Sequence, residues 1–233
     1  MKVLILAGGL GTRLRQITGD QPKPMVDVNG KPFLQWQLEF LKGKGIDEVI
    51  ISVGYKAERI ISHFGDGSKY GMKIYYSIER KPLGTGGAIK NARLLLKGES
   101  DFVVMNGDTY MLLNPKDLMN YHKNRSSLVT MVVIWAEIRQ KAGLVTVDGN
   151  LTVSGIKEVQ EGRGFINAGM NAFSSEIFDF MPESETFSLE YDLLPSLIKT
   201  GRVHAFQYSG YFRDIGTPEG YSRFLSEVSS VAG

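Results

Sequence analysis

The chain has 233 residues, of which 42% are apolar and 22% charged, so it can build a sizeable core and is too ordinary in composition to be a disordered segment. A formal net charge of +2 leaves no basic footprint for nucleic acid, and a small-molecule partner is expected instead. The absence of cysteine excludes disulfides, thiolate metal clusters and cysteine nucleophiles together, and a cytoplasmic location is expected.

The apolar start of the chain is broken by Gly8 and Gly9 and followed by Thr12 and Arg13. It therefore reads as a buried strand over Lys2 to Leu6 and not as a leader. Pro32 then opens a helical pattern with Phe33, Leu34, Leu38 and Leu41 on one face, ending at Gly43 and Gly45. Strands at Glu48 to Val53, Lys73 to Ser77, Phe102 to Met105 and Leu128 to Trp135 alternate with helices at Lys56 to Phe64, Gly87 to Leu96 and Pro115 to Lys123. That alternation predicts βαβ units around a largely parallel sheet. The longest apolar segment, Leu128 to Ala136, falls well short of the ~20 residues that cross a bilayer, so no membrane partner is expected.

After Gly143 the rhythm changes, and Leu144 to Val147, Asp148-Gly149 and Leu151 to Ile156 read as a hairpin with a tight turn. A strand at Phe165 to Phe173, helices at Ser174 to Met181 and Glu190 to Thr200, a strand at Val203 to Tyr208 and a helix at Thr217 to Val228 complete the chain. No linker, repeat or low-complexity run interrupts it. The expectation is one α/β domain over 1–233, Rossmann-like, with a mixed, mostly parallel sheet flanked by helices and a hairpin-bearing second lobe. Its first part covers about 1–127 and its second about 128–233.

Three glycines, Gly8, Gly9 and Gly11, follow the first strand and expose backbone N–H groups to an anion, with Arg13 just beyond to bind phosphate oxygens. A dinucleotide fingerprint would need glycine where Leu14 stands, and no Walker A sequence occurs. A plain glycine turn leaves Arg13 unexplained. Pro22 and Pro24 present Lys23 from a stiff loop. Asp108 follows a strand and an Asn-Gly turn, at the end of the sheet where open α/β folds bind ligands; its bland reading is a turn residue. Asp214 follows Tyr211-Phe212, and its bland reading is the approach to the last helix. His63, His122 and His204 have no metal-ligand spacing.

The run Gly8-Gly9-Leu10-Gly11-Thr12-Arg13-Leu14 with Pro22-Lys23-Pro24 resembles the signature of the sugar-1-phosphate nucleotidyltransferases, and the likeness extends over essentially the whole chain. Within that family the likeness is greatest to the guanylyltransferase branch, with GTP and D-glycero-α-D-manno-heptose 1-phosphate as the implied substrates. It is carried by Ser77-Ile78-Glu79, Pro82 to Ile89, Asn106-Gly107-Asp108-Thr109, Ile166 to Gly169 and Asp214 to Glu219. The resemblance implies that Asp108 and Asp214 share an Mg2+ ion, that Arg13 steadies the β and γ phosphates, and that Lys23 bridges the attacking and receiving phosphates.

The resemblance further implies nucleotide contacts from Leu6, Ala7, Gly8, Gly9, Gly11, Thr12, Asn106 and Gly107, and a base lying on Gly84 and Thr85 beside Glu79. A carboxylate at Glu79 suits guanine, whose N1–H and N2–H groups are donors. For the sugar phosphate it implies Glu158 and Asn167. The family usually has lysine after that glutamate, where this chain has Val159, which leaves Lys157 or Arg163 to serve; Asn171 stands where an aromatic is commoner. A homodimer, and no domain beyond the last helix, are also implied. Mannose, N-acetylmuramate or other sugar 1-phosphates with GTP, UTP or CTP stay open, as do a silent nucleotide-sugar sensor and, more distantly, a dehydrogenase.

Overall fold

The computed structural model describes residues 1–9, 11, 14, 17 and 19–231. After β1 (Val3–Ala7) come a 3-10 turn at Lys23–Met25, a ribbon of β2 (Asp27–Val28) and β3 (Lys31–Pro32), then α1 (Phe33–Gly43), β4 (Glu48–Val53), α2 (Ala57–Phe64), β5 (Lys73–Ile78), α3 (Gly84–Asn91) and β6 (Asp101–Asn106). The chain continues through β7 (Thr109–Met111), α4 (Pro115–Asn124), β8 (Val129–Ile138), β9 (Ala142–Val147), β10 (Val153–Val159) and β11 (Gly162–Ser174). A 3-10 turn at Ser175–Asp179, a π turn at Leu189–Leu193 running into α5 (Leu194–Ile198), then β12 (Val203–Gln207), β13 (Phe212–Asp214) and α6 (Pro218–Val231) complete it.

Strand periodicity sorts the core into two layers. Val3, Ile5 and Ala7 of β1, Val49, Ile51 and Val53 of β4, and Val103 and Met105 of β6 pack with α1, α2 and α4. Their alternate neighbours Leu4, Ile50, Phe102 and Val104 pack with α3 and α5 on the opposite face. Such strands are largely apolar because both faces are covered. A third cluster, with Val26, Val28, Phe33, Tyr110, Ile215, Phe224 and Val228, fastens α6 to the β2–β3 ribbon and to β7.

The sheet order β6-β1-β4-β5 is parallel throughout, so the connections run outward from β1 to β5 and then return to its other side at β6. The gap between β1 and β6 is thus the topological switch point, where loops diverge and leave a crevice beyond the strand ends. The second half is mixed. β11 runs antiparallel along β8 on one edge and pairs on the other with β6 through its second half and with β9 through its first. β12 extends this part beyond β8 in parallel.

Several local readings change. The expected tight turn at Asp148-Gly149 is a longer connection between β9 and β10. There Asp148 Oδ1 accepts the N–H groups of Asn150 and Thr152 at 2.9 and 2.8 Å, and Leu151 sits at φ +62°. Pro32 belongs to β3 and precedes α1. The helix expected at Ser174 to Met181 is a 3-10 turn whose Ser174 hydroxyl accepts Glu176 N–H. The helix at Gly87 to Leu96 starts three residues earlier and is α-helical only to Asn91.

Candidate active site

Four segments end at the switch point: Gly8 after β1, Gly54 after β4, Glu79 after β5, and Gly107-Asp108 after Asn106, the last residue of β6. Gly107 N–H donates to Leu6 O at 2.9 Å, and a β-carbon at Gly107 would lie 2.7 Å from that oxygen. Close seating of this turn on the end of β1 brings Asp108 to the glycine loop. Lys23 reaches the same place from the other side. Pro22 and Pro24 are buried, and the 3-10 turn between Pro22 O and Met25 N–H aims Lys23 Nζ at Asp108 Oδ2, 2.6 Å away.

Asp214 arrives through the β13–β7 ribbon, where it pairs with Thr109, and Ile215 N–H donates to Asp108 O at 2.9 Å. Its Oδ1 accepts Gly216 N–H at 2.5 Å, and a β-carbon on Gly216 would approach both Asp214 Oδ1 and Lys23 Nζ, at 2.7 and 3.4 Å. The capping of α6 is done by Thr217, whose hydroxyl accepts Gly220 N–H at 3.1 Å, with Pro218 as first helical residue. Asp108, Asp214 and Lys23 therefore converge. Two hard carboxylates beside a glycine loop fit Mg2+, which takes few protein oxygens and completes its shell with water or other oxygen ligands. The described residues contain no group of three or more His, Cys, Asp or Glu that fits a metal ion.

The crevice itself, about 490 Å³, is lined by Leu6, Ala7, Gly8, Gly9 and Gly11, by Lys23 and Glu79, and by Gly84, Thr85, Asn106, Gly107 and Asp108. Arg13 and Thr12 lie outside the described residues. Glu79 lies across Gly8, where any β-carbon would collide with its carboxylate, and Oε1 accepts from Ser52 Oγ at 2.9 Å. Oε2 of Glu79 has no protein partner among the described residues. The later glycine run packs mainly against protein. A β-carbon on Gly84 would lie 2.5 Å from Phe187 O, and those of Gly86 and Gly87 would strike the Phe187 ring and Glu185 O. The Thr85 hydroxyl donates to Glu190 Oε2 at 2.6 Å and accepts Leu189 N–H at 2.9 Å.

Asn106 also lines a second, larger cavity of about 1110 Å³ in the mixed half of the sheet, together with Asn167, Glu158 and Asp214. Asn167 Oδ1 accepts Gly169 N–H at 3.0 Å where β11 shifts register, which leaves its amide N–H groups for a ligand. Gly169 takes φ +76° there, and a β-carbon would meet the Asn106 amide at 2.7 Å. Neither cation expected beside Glu158 lines the cavity. Lys157 is exposed on the opposite face of β10, because Ile156 and Glu158 face inward and side chains alternate. Arg163 lies 3.6 Å from Glu137 Oε1 and does not itself line the cavity. The cavity-wall cation that reaches Glu158 is Lys141, 2.8 Å from Oε2. Asn171 is buried between β6 and β8, is not among the residues lining the cavity, and has Oδ1 unpartnered.

Two residues of the site escape a motif reading yet carry a signal. Gln37 sits on the buried face of α1 among Phe33, Leu34, Leu38 and Leu41, and its Nε2 donates to Asn106 O and Thr109 O at 2.9 and 2.7 Å, fixing the turn that bears Asp108. Ser52 is the polar residue in an otherwise apolar buried strand end. A polar side chain in such a place must find partners, which is the clue.

The chain matches the family model described as nucleotidyl transferase over residues 2–230. It belongs to the nucleotidyl transferase family. Among the relatives, this nucleotidyltransferase is 41% identical over 226 residues to the D-glycero-alpha-D-manno-heptose 1-phosphate guanylyltransferase of Campylobacter jejuni, covering 97% of this chain and 99% of the relative. It is 34% identical to the mannose-1-phosphate guanylyltransferase of Mycobacterium tuberculosis, covering 97% of this chain and 64% of that longer protein. The crystal structure of HddC from Yersinia pseudotuberculosis complexed with GMP-PN superposes with a TM-score of 0.84 at 39% identity, over 97% of this chain and 99% of that one.

Proposed function

We propose that the protein transfers a guanylyl unit from GTP to D-glycero-α-D-manno-heptose 1-phosphate, releasing pyrophosphate and forming an NDP-sugar that serves as a glycosyl donor. The observation that carries this reading is the meeting of Lys23, Asp108 and Asp214 at the switch point, with Glu79 on one side and the larger cavity on the other. One crevice takes the triphosphate and the other the sugar, and Asn106 faces both. Full-length similarity to a heptose 1-phosphate enzyme supports the choice of sugar.

An oxygen of the sugar phosphate attacks the α-phosphorus, the bond to the bridging oxygen breaks, and pyrophosphate departs. That attacking oxygen is already ionised, so no side chain need take a proton, and positioning with charge neutralisation dominates. Asp108 and Asp214 would hold Mg2+, which when bound neutralises phosphate oxygens as charge moves onto the leaving group. Lys23 lies where it bridges the two phosphates, and backbone N–H groups at Gly8, Gly9 and Gly11 face the triphosphate, with Arg13 assigned to its β and γ groups.

Glu79 accepts from guanine N1–H and N2–H, with Ser52 holding its other oxygen. The sugar contacts fall to Glu158 and Asn167, with Lys141 bonded to Glu158 and not itself a sugar contact. The part over about 1–127 binds nucleotide and the part over about 128–233 binds sugar, except that Asp214 returns to the nucleotide side through the β13–β7 ribbon. We assign the reaction to the cytoplasm. Mannose 1-phosphate is the second reading, on the similarity to the mycobacterial enzyme.

Pyrophosphate release, measured over GTP, ATP, UTP and CTP against heptose, mannose and N-acetylmuramate 1-phosphates, tests the reading. GTP with the heptose 1-phosphate is expected to give the highest kcat/KM. A higher value with another triphosphate overturns the base assignment, and one with mannose 1-phosphate favours the second sugar.

A further inference from the structure

On the hairpin of the second lobe, Lys141, Gly143 and Val145 face the larger cavity beside Ile156 and Glu158. Glu158 pairs with Gly143, so nothing from the adjacent strand covers its carboxylate. Two donors reach the same oxygen of that carboxylate: Lys141 Nζ at 2.8 Å and Tyr191 Oη at 3.0 Å, both to Oε2. Oε1 has no protein partner among the described residues. The hydrogen bond from Lys141, followed by that from Tyr191, holds the Glu158 carboxyl below its ordinary range, so it is a charged acceptor.

Tyr191 comes from outside the hairpin. It stands on the π turn, and its neighbours Leu189 and Glu190 are bonded to Thr85 on the wall of the nucleotide crevice. Gly86 and Gly87 N–H groups donate to Phe187 O just before, at 3.1 and 3.2 Å. The turn is thereby fixed to α3 of the first half, while its tyrosine reaches the hairpin at Glu158. π turns are rare and concentrate at functional sites.

We propose that Tyr191 and Lys141 are positioning residues for sugar recognition: by occupying one oxygen of Glu158 they fix the other as the acceptor for hydroxyl groups of the sugar. The proposal rests on the sugar-1-phosphate reading of this cavity. A carboxylate oxygen has two lone-pair directions, so Oε1 accepts one or two O–H donors, and bonds to an ionised acceptor are the strong kind. A glutamate free to rotate would lose side-chain entropy on binding; one already held at Oε2 loses less.

Steady-state kinetics with Tyr191→Phe and Lys141→Met test this, using the sugar 1-phosphate that the wild type turns over and its monodeoxy analogues. Both variants are expected to raise KM for the sugar 1-phosphate about tenfold, the loss of one charge-assisted hydrogen bond, and to leave KM for GTP and kcat within about twofold. For the analogue lacking the bonded hydroxyl, wild type and variants should have equal KM. Unchanged KM for the sugar in both variants overturns the proposal, as does a uniform fall in kcat across all analogues. A wild type that turns over no sugar 1-phosphate overturns the functional reading itself, a result separate from either of these.

Discussion

In the proposed reading, Glu79, a carboxylate lying across a glycine, is the residue on which base selection turns. Ser52 fixes one oxygen from below, and no side chain at Gly8 intervenes. Removing the carboxylate in Glu79→Ala leaves guanine's N1–H and N2–H without an acceptor, whereas adenine loses nothing comparable. The expected result is a fall of about 10- to 100-fold in kcat/KM for GTP against ATP, matching about 1.5–3 kcal/mol for a hydrogen bond to a charged group. An unchanged ratio of the two triphosphates would sink the assignment.

Residues inside a local motif were the legible ones, because glycines, prolines and acidic turns declare themselves over a few positions. Lys23 and Asp108 are examples, and they meet at 2.6 Å. What local order hides is the facing of side chains across strands. Lys157 neighbours Glu158 in sequence yet faces the other side of β10, while Lys141 lies 17 positions away and touches it. Gln37 shows a middle case: its polar side chain on an apolar helix face announces a buried partner, but not that the partner is the Asp108 turn.

Among the elements, the one most sensitive to acid is the packing of α4 on β8 and β6. His122 of α4 is buried, its Nδ1 shares a 2.8 Å hydrogen bond with Thr130 Oγ1 of β8, and its Nε2 lies 3.5 Å from Asp101 of β6. Burial, partly offset by Asp101 and reinforced by His204 and Lys123, pushes its pKa down to about 4. The unfolded chain binds this proton near pH 6.5, well before the folded protein does, so this contribution to stability is complete above pH 6.5 and is lost as pH falls toward 4. The full difference is about 3 kcal/mol. Tm measured from pH 7 to 4.5 should therefore fall more steeply for wild type than for His122→Asn; parallel curves would contradict this account of His122.

The long elements were legible because burial on both faces leaves an unmistakable signal. β4 runs Glu48–Val53 as its apolar run predicts, and α1 carries its predicted face. The two short ribbons, β2–β3 and β7–β13, were not, since strands of two or three residues have no period to read. Yet β13 is what carries Asp214 to Asp108. The helix expected from Glu190 to Thr200 begins as a π turn over Leu189–Leu193, where Ser188 accepts the N–H groups of Glu190 and Tyr191 and Thr85 bonds Glu190.

At the scale of the whole molecule, a parallel half and a mixed half share one sheet, and the join between β6 and β11 carries Asn106 and Gly169 at the boundary of the two cavities. The crevice at the switch point owes its place to chain topology, whereas its chemistry comes from segments far apart in sequence: the Lys23 turn, the end of β6 and the last ribbon. The third apolar cluster holds these together by tying α6 to the Lys23 side and to β7. The likeness to the family was visible from its motifs, but the convergence that makes them one centre required the fold.

The central claim is that this convergence performs nucleotidyl transfer, and it is tested most directly by product stoichiometry. With GTP, heptose 1-phosphate and Mg2+, the wild type should form NDP-sugar and pyrophosphate in equal amounts. Asp108→Ala should lower both by at least about 10³-fold while its Tm stays near that of the wild type. Transfer by Asp108→Ala at a near-wild-type rate, or release of orthophosphate in place of pyrophosphate by the wild type, would contradict the account.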